Sequence, residues 1–218
     1  MKKLVAVWML LIAACSFGPG NLQSRHSSDL ESRRIRRIAV VPPAVLSGEV
    51  QKKMLLGTTP EPRLSERDAG EILARITYSV TAALPHWQIV SDSEVREVAE
   101  TVAAGAEAAR LRQIGQSVYA DAVLTGRVQR YRERVGDEWG AKSPASVAFV
   151  LDLVDVRRGD VIWTARFDET QKSLSENIFA LGDIGQRGVR WLSAEQLTQD
   201  GVRKSIGQLH QIIGRPPA

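Results

Sequence analysis

Apolar positions along this chain fall into runs whose period changes, and the period names the element. Ile35-Arg36-Arg37-Ile38-Ala39-Val40-Val41 is an apolar run closed by Pro42 and Pro43. Proline cannot donate to a sheet ladder, so the run predicts a strand ending at Val41. Residues 44–64 hold Gly48, Gly57, Pro60 and Pro62 and read as a long loop. From Ser65 the spacing switches. Ala69, Ile72, Leu73, Ile76, Val80, Ala83 and Leu84 recur at helical intervals, Ser65 and Asp68 form a variant of the capping box, and Pro85 stops the helix.

Trp87-Gln88-Ile89-Val90 predicts a second strand, and Ser91 caps a helix carrying Val95, Val98, Ala99 and Val102. Gly105 divides it from another helix over about 106–117. Ala122-Val123-Leu124-Thr125-Gly126 opens a strand that turns Arg-rich and ends in a hairpin tip at Gly136-Asp137-Glu138-Trp139-Gly140. Residues 146–156 form the next strand. Arg157-Arg158-Gly159-Asp160 turns tightly into Val161 to Phe167, where Val161, Trp163, Ala165 and Phe167 share one face. A last helix runs from about Ser193 to Ile213, closed by Gly214 and Pro216. The order β-α-β-α-α-β-β-β-α predicts an α/β fold. It has one domain, 35–214, and a mixed sheet with helices packed on it. A tail, 215–218, follows.

The N-terminus departs from this pattern. Met1-Lys2-Lys3 is positive, and Leu4 to Ala14 is an uncharged apolar run, the length of a signal-peptide core and too short to span a bilayer as a helix. Ile12-Ala13-Ala14-Cys15 resembles the lipobox of bacterial lipoproteins. The resemblance implies a signal peptide over 1–14, cleavage before Cys15, and acyl chains on that residue (palmitate among them). Ser16 after the cysteine implies, by the enterobacterial sorting pattern, the outer membrane, facing the periplasm. Phe17 to about Glu31 is polar and Gly-, Ser- and Asn-containing, so 15–34 reads as a flexible tether.

Composition narrows the function classes. The chain has 218 residues, 44% hydrophobic and 25% charged, enough for a buried core. Its formal net charge is +4; losing residues 1–14 removes Lys2 and Lys3, leaving 27 basic against 25 acidic side chains. That balance argues against nucleic acid as a partner. Cys15 is the one cysteine, so no internal disulfide or thiolate metal cluster can form. Arg33-Arg34-Ile35-Arg36-Arg37 reads either as a solvated approach to the first strand or as a contact for anionic lipid headgroups.

Three segments carry a second resemblance: Ile38-Ala39-Val40-Val41-Pro42-Pro43, Trp87-Gln88-Ile89-Val90-Ser91, and Ala120-Asp121-Ala122-Val123-Leu124-Thr125-Gly126-Arg127-Val128, followed by the hairpin of Leu151 to Asp155 with Val161 to Trp163. In that order they resemble the periplasmic domains related to the curli-secretion channel subunit CsgG, the penicillin-binding-protein activator LpoB and the N-terminal domain of TolB. The resemblance covers about residues 35–213. It implies a non-enzymatic envelope protein that binds protein partners or assembles with copies of itself. Channel members carry long amphipathic insertions that become membrane hairpins. Here the turns at 136–140 and 157–160 are short and the loop at 44–64 is broken by Pro and Gly. A tethered adaptor is therefore the first expectation, an oligomeric secretion-channel subunit the second, and an envelope enzyme the third.

Candidate chemistry is sparse. His26, His86 and His210 are scattered, with no metal-ligand spacing, and neither a phosphate loop nor a nucleophile elbow occurs. No cofactor or metal is expected. Asp152 interrupts an apolar strand, so it faces the polar side or pairs with an arginine such as Arg166. Trp87 and Trp163 sit at strand positions. Trp139 stands in a polar hairpin tip, where an aromatic is either a binding anchor or packed locally. Alternation places Arg130, Arg132 and Arg134 on one face. That face could meet an acidic partner or peptidoglycan carboxylates, or guard an edge against aggregation.

Overall fold

The computed structural model describes residues 21–43, 66–103, 105–171 and 191–214. Cys15, Ser65 and the predicted loop at 44–64 lie outside the described residues. The elements are β1 Leu22–His26, a single 3-10 turn Leu30–Ser32, β2 Arg37–Val41, α1 Glu66–Ala82, β3 Gln88–Ile89, α2 Asp92–Thr101, α3 Glu107–Ser117, β4 Ala122–Arg132, β5 Val135–Asp137, β6 Gly140–Ser143, β7 Ser146–Asp155, β8 Val161–Thr170 and α4 Ala194–Ile213. Six strands form one sheet in the order β1-β8-β7-β4-β2-β3, and β5 and β6 make a separate hairpin. The class is the expected one: α/β, with a mixed sheet in a single domain.

The sheet has two halves, and composition tells them apart. β2 pairs in parallel with both β3 and β4. It reads Ile38-Ala39-Val40-Val41, all buried, because helices cover both of its faces. β4, β7, β8 and β1 pair antiparallel. In β8, Trp163, Ala165 and Phe167 are buried while Arg166 and Asp168 are exposed, the alternation of a sheet with one covered face.

Two cores result. On the inner face Leu73 and Ile76 of α1 and Leu197, Val202, Ile206 and Leu209 of α4 pack on Leu124, Phe149, Leu151 and Phe167. Phe149 and Phe167 stack with centroids 5.1 Å apart. The contact is close: a Cβ at Gly201 of α4 would lie 2.7 Å from the Phe167 ring. On the outer face Val95, Leu111 and Ile114 of α2 and α3 cover Ala39, Val41, Val123 and Val154. Local signals hold at the helix ends. Ser91 accepts from the Glu94 N–H, and Ser193 with Gln196 forms a complete capping box.

The expected tether, 15–34, is corrected in its second half. Leu22 to His26 pairs with β8 from Phe167 to Trp163, extending the predicted strand order by one at its start. Leu30 is completely buried. Only two residues of this stretch, Leu22 and Leu30, are apolar, so no period marks it. An edge strand is held by backbone hydrogen bonds, which composition does not reveal.

Candidate interaction surface

The basic run at 33–37 separates by role. The Arg33 guanidinium pairs with Asp155, with Asp29 at 2.7 Å and with Asp160 at 3.5 Å, and Arg37 reaches Glu94 at 3.7 Å. The backbone N–H groups of Arg36 and Arg37 both donate to Asp121, at 2.9 Å. Arg33 is thus a latch between the segment after β1 and the β7–β8 turn, beside a cleft of about 520 Å³. Burial pushes the Asp155 carboxyl up. The N–H groups of Arg158 and Arg157 and the Arg33 guanidinium outweigh it and hold the carboxyl below the ordinary range. Asp29 is lowered as well, chiefly by the hydrogen bond from Arg33. Arg34 and Arg36 remain exposed.

The arginines of β4 are rearranged by a bulge. The register slips between Val128 and Arg130, so Val128 opposes Phe149 on the inner face while Arg130 opposes Ala148 on the outer one. Arg127 opposes Val150 and Arg132 opposes Ser146, so Arg127, Arg130 and Arg132 share the outer face. Arg130 donates to Ser146 Oγ at 2.6 Å and pairs with Asp168. Since Asp168 also opposes Ala148, this ion pair straps the sheet from β4 to β8 over Ala148, which is 2% exposed. Asp152 takes Arg127 at 2.9 Å, not Arg166, and accepts from Thr164 Oγ1 at 2.7 Å. Exposed pairs of this kind contribute about 0–1 kcal/mol each, so they order the surface more than they hold the fold.

Arg134 leaves that group. β4 ends at Arg132, and the Arg134 guanidinium donates to the Trp191 carbonyl. The Trp191 N–H in turn donates to the Glu138 carbonyl at 2.7 Å, and Glu133 accepts from the Ala194 N–H at 3.1 Å at the start of α4. The β5–β6 hairpin is thereby tied to the segment before α4. Trp139 at its tip is 70% exposed. Trp163 is buried, whereas Trp87 is half-buried and meets His210 edge-on at 5.2 Å. Among the described residues no His, Cys, Asp and Glu group could hold a metal ion, and no helix is long and apolar enough to cross a membrane.

Sequence reasoning missed Arg25 and took Arg166 only as a partner for Asp152. Arg166 was legible in the alternation of β8. Arg25 reaches the same face only because β1 pairs with β8 and sets it opposite Thr164.

No family model matches the chain, and no curated protein matches its sequence. Among solved structures it is similar to the PelC dodecamer from Paraburkholderia phytofirmans, at 18% identity and TM-score 0.47 over 86% of this chain and 96% of that one. It is similar to lipoprotein GNA1162 from Neisseria meningitidis, at 18% identity and TM-score 0.40 over 70% and 98%. It is also similar to E. coli LpoB, at 11% identity and TM-score 0.38 over 63% and 59%. At these values no residue role and no assembly state passes from them to this chain.

Proposed function

We propose that this chain is a lipid-anchored protein of the bacterial cell envelope whose α/β domain works by binding other proteins, as an adaptor or accessory of an envelope complex. The observation that carries this reading is the sole cysteine, Cys15, standing after a basic start, an apolar run and two small residues. Two or more acyl chains make a stable anchor, at about 0.8 kcal/mol per buried CH₂.

The geometry gives the anchor a consequence. Asn21 accepts from the Asp168 N–H and starts the chain along β8. Five residues lie between it and Cys15, and the six extended steps that join them span at most about 21 Å. The sheet end holding Asn21, Arg132 and Thr170, from which the β5–β6 hairpin departs, is thus the end kept near the bilayer. The flexible tether expected over 15–34 is shortened accordingly, because Leu22 to His26 pairs with β8 and Leu30 is buried. Ser16 favours the outer membrane, facing the periplasm.

Two measurements test the proposal. Labelling with palmitate in the native host should mark the wild type and leave Cys15→Ser unlabelled and outside the membrane fraction. Cross-linking of intact envelopes should capture partners with the wild type. Trp139→Ala should lose one or more of them if the hairpin tip is an anchor. An unlabelled wild type with its leader intact would remove the envelope reading. A stable ring of copies in mild detergent would favour the channel-subunit reading over the adaptor.

A further inference from the structure

The outer face of the antiparallel half lacks a helix among the described residues, and its charge is lopsided. α2 and α3 cover it only as far as Val154 and Val123. Beyond that it presents Arg25, Arg127, Arg130, Arg132 and Arg166 against Asp152 and Asp168. That concentrates a surplus of three positive charges on one surface of a nearly balanced chain.

The arginines are not equivalent. Arg127 and Arg130 are held by Asp152 and Asp168. Arg25, Arg132 and Arg166 are exposed and have no carboxylate partner among the described residues. By register, Arg25 lies beside Thr164 on β1, Arg166 two residues along β8, and Arg132 near the far end of β4. With strands about 4.8 Å apart and two residues spanning about 6.7 Å, the three lie on a diagonal roughly 25 Å long.

We propose that this diagonal docks an elongated acidic segment of a partner protein, whose carboxylates meet Arg25, Arg166 and Arg132 through the planar guanidinium fork. This deepens the protein-binding reading and rests on it. The span is too long for one small anion. A bilayer at the anchored end would not reach Arg25, which lies toward the opposite end of the sheet. Asp152 and Asp168 stand on the same face and repel a polymer charged at every repeat, whereas a protein segment can place its acids only where the free arginines are.

The test uses the full lipidated chain in discs of neutral lipid. The probes are Gly/Ser peptides of about twelve residues, long enough to span the diagonal when extended, each with three glutamates at varied spacing. Alginate and phosphatidylglycerol vesicles are the competing ligands. One spacing should bind best, with an affinity that falls as salt rises. The triple variant Arg25→Gln/Arg132→Gln/Arg166→Gln should weaken that binding about tenfold or more, with an unchanged melting temperature. A variant with the same loss of charge elsewhere, Arg34→Gln/Arg36→Gln/Arg157→Gln, should leave it within about twofold. Equal losses in the two variants, no binding of any peptide, or preference for alginate or vesicles through the same three arginines overturns the proposal. If envelope partners are captured equally by the wild type and the triple variant, this face is wrong and the adaptor reading stands. If none is captured and Cys15 is bare, the adaptor reading itself fails.

Discussion

Two glycines of α4 show how much single residues decide here. Gly201 faces the Phe167 ring at a distance no Cβ tolerates, while nothing lies within 4 Å of a Cβ at Gly207. Gly201→Val should therefore destabilise by about 1–3 kcal/mol through overpacking. Gly207→Ala should stabilise by up to about 1 kcal/mol through helix propensity. Chemical denaturation of the two variants checks the pair, and equal effects would contradict the packing described. At the latch, the sign of the pH dependence follows from Asp155 and Asp29. Their folded pKa values lie below the unfolded ones, near 3.9. Their stabilisation is complete above that value and is lost as pH falls through the folded values. Between about pH 5 and 2 the wild-type melting temperature should drop more steeply than that of Asp155→Asn, with thermal melts in a pH series as the measurement.

At the scale of elements, β1 is the weak member and the turn after it the strong one. β1 is a sheet edge with most of its residues exposed. Its amides should exchange with solvent faster than those of β7, which is paired on both sides. Leu30, by contrast, is fully buried. Leu30→Ala should cost about 2–5 kcal/mol in a denaturation experiment, a loss that a flexible tether would not show. Helix ends were legible beforehand because capping is local. Ser91 was read as a cap and the structure uses it; Ser193, read only as the start of the last helix, is a cap as well. Ser193→Ala should cost about 1 kcal/mol. β1 was not legible, because its ladder bonds are made by backbone atoms to a strand about 140 residues away in sequence.

For the whole molecule, the described residues place an exposed Trp139 on a hairpin tied to α4 and, on the outer face of the sheet, three arginines with no carboxylate partner among them. Which helices flank the sheet follows from the strands. The parallel β2 region is apolar throughout and carries helices on both sides. In the antiparallel region β8 alternates and carries polar residues on its outer face, while the central strand β7 is buried along most of its length. The period of apolar residues and the caps and prolines that end elements are written within a few residues of one another, so sequence alone determined the α/β class and the order of the main helices and strands from β2 to α4, and the placement of Cys15 after an apolar run carries the expectation of an anchor. The grouping of Arg25 with Arg166 and Arg132, the departure of Arg134, the slip in β4 and the ordering of 21–34 depend on which distant strands pair and in what register. Only tertiary structure decides that, because backbone hydrogen bonding between remote segments leaves no periodic mark on side chains.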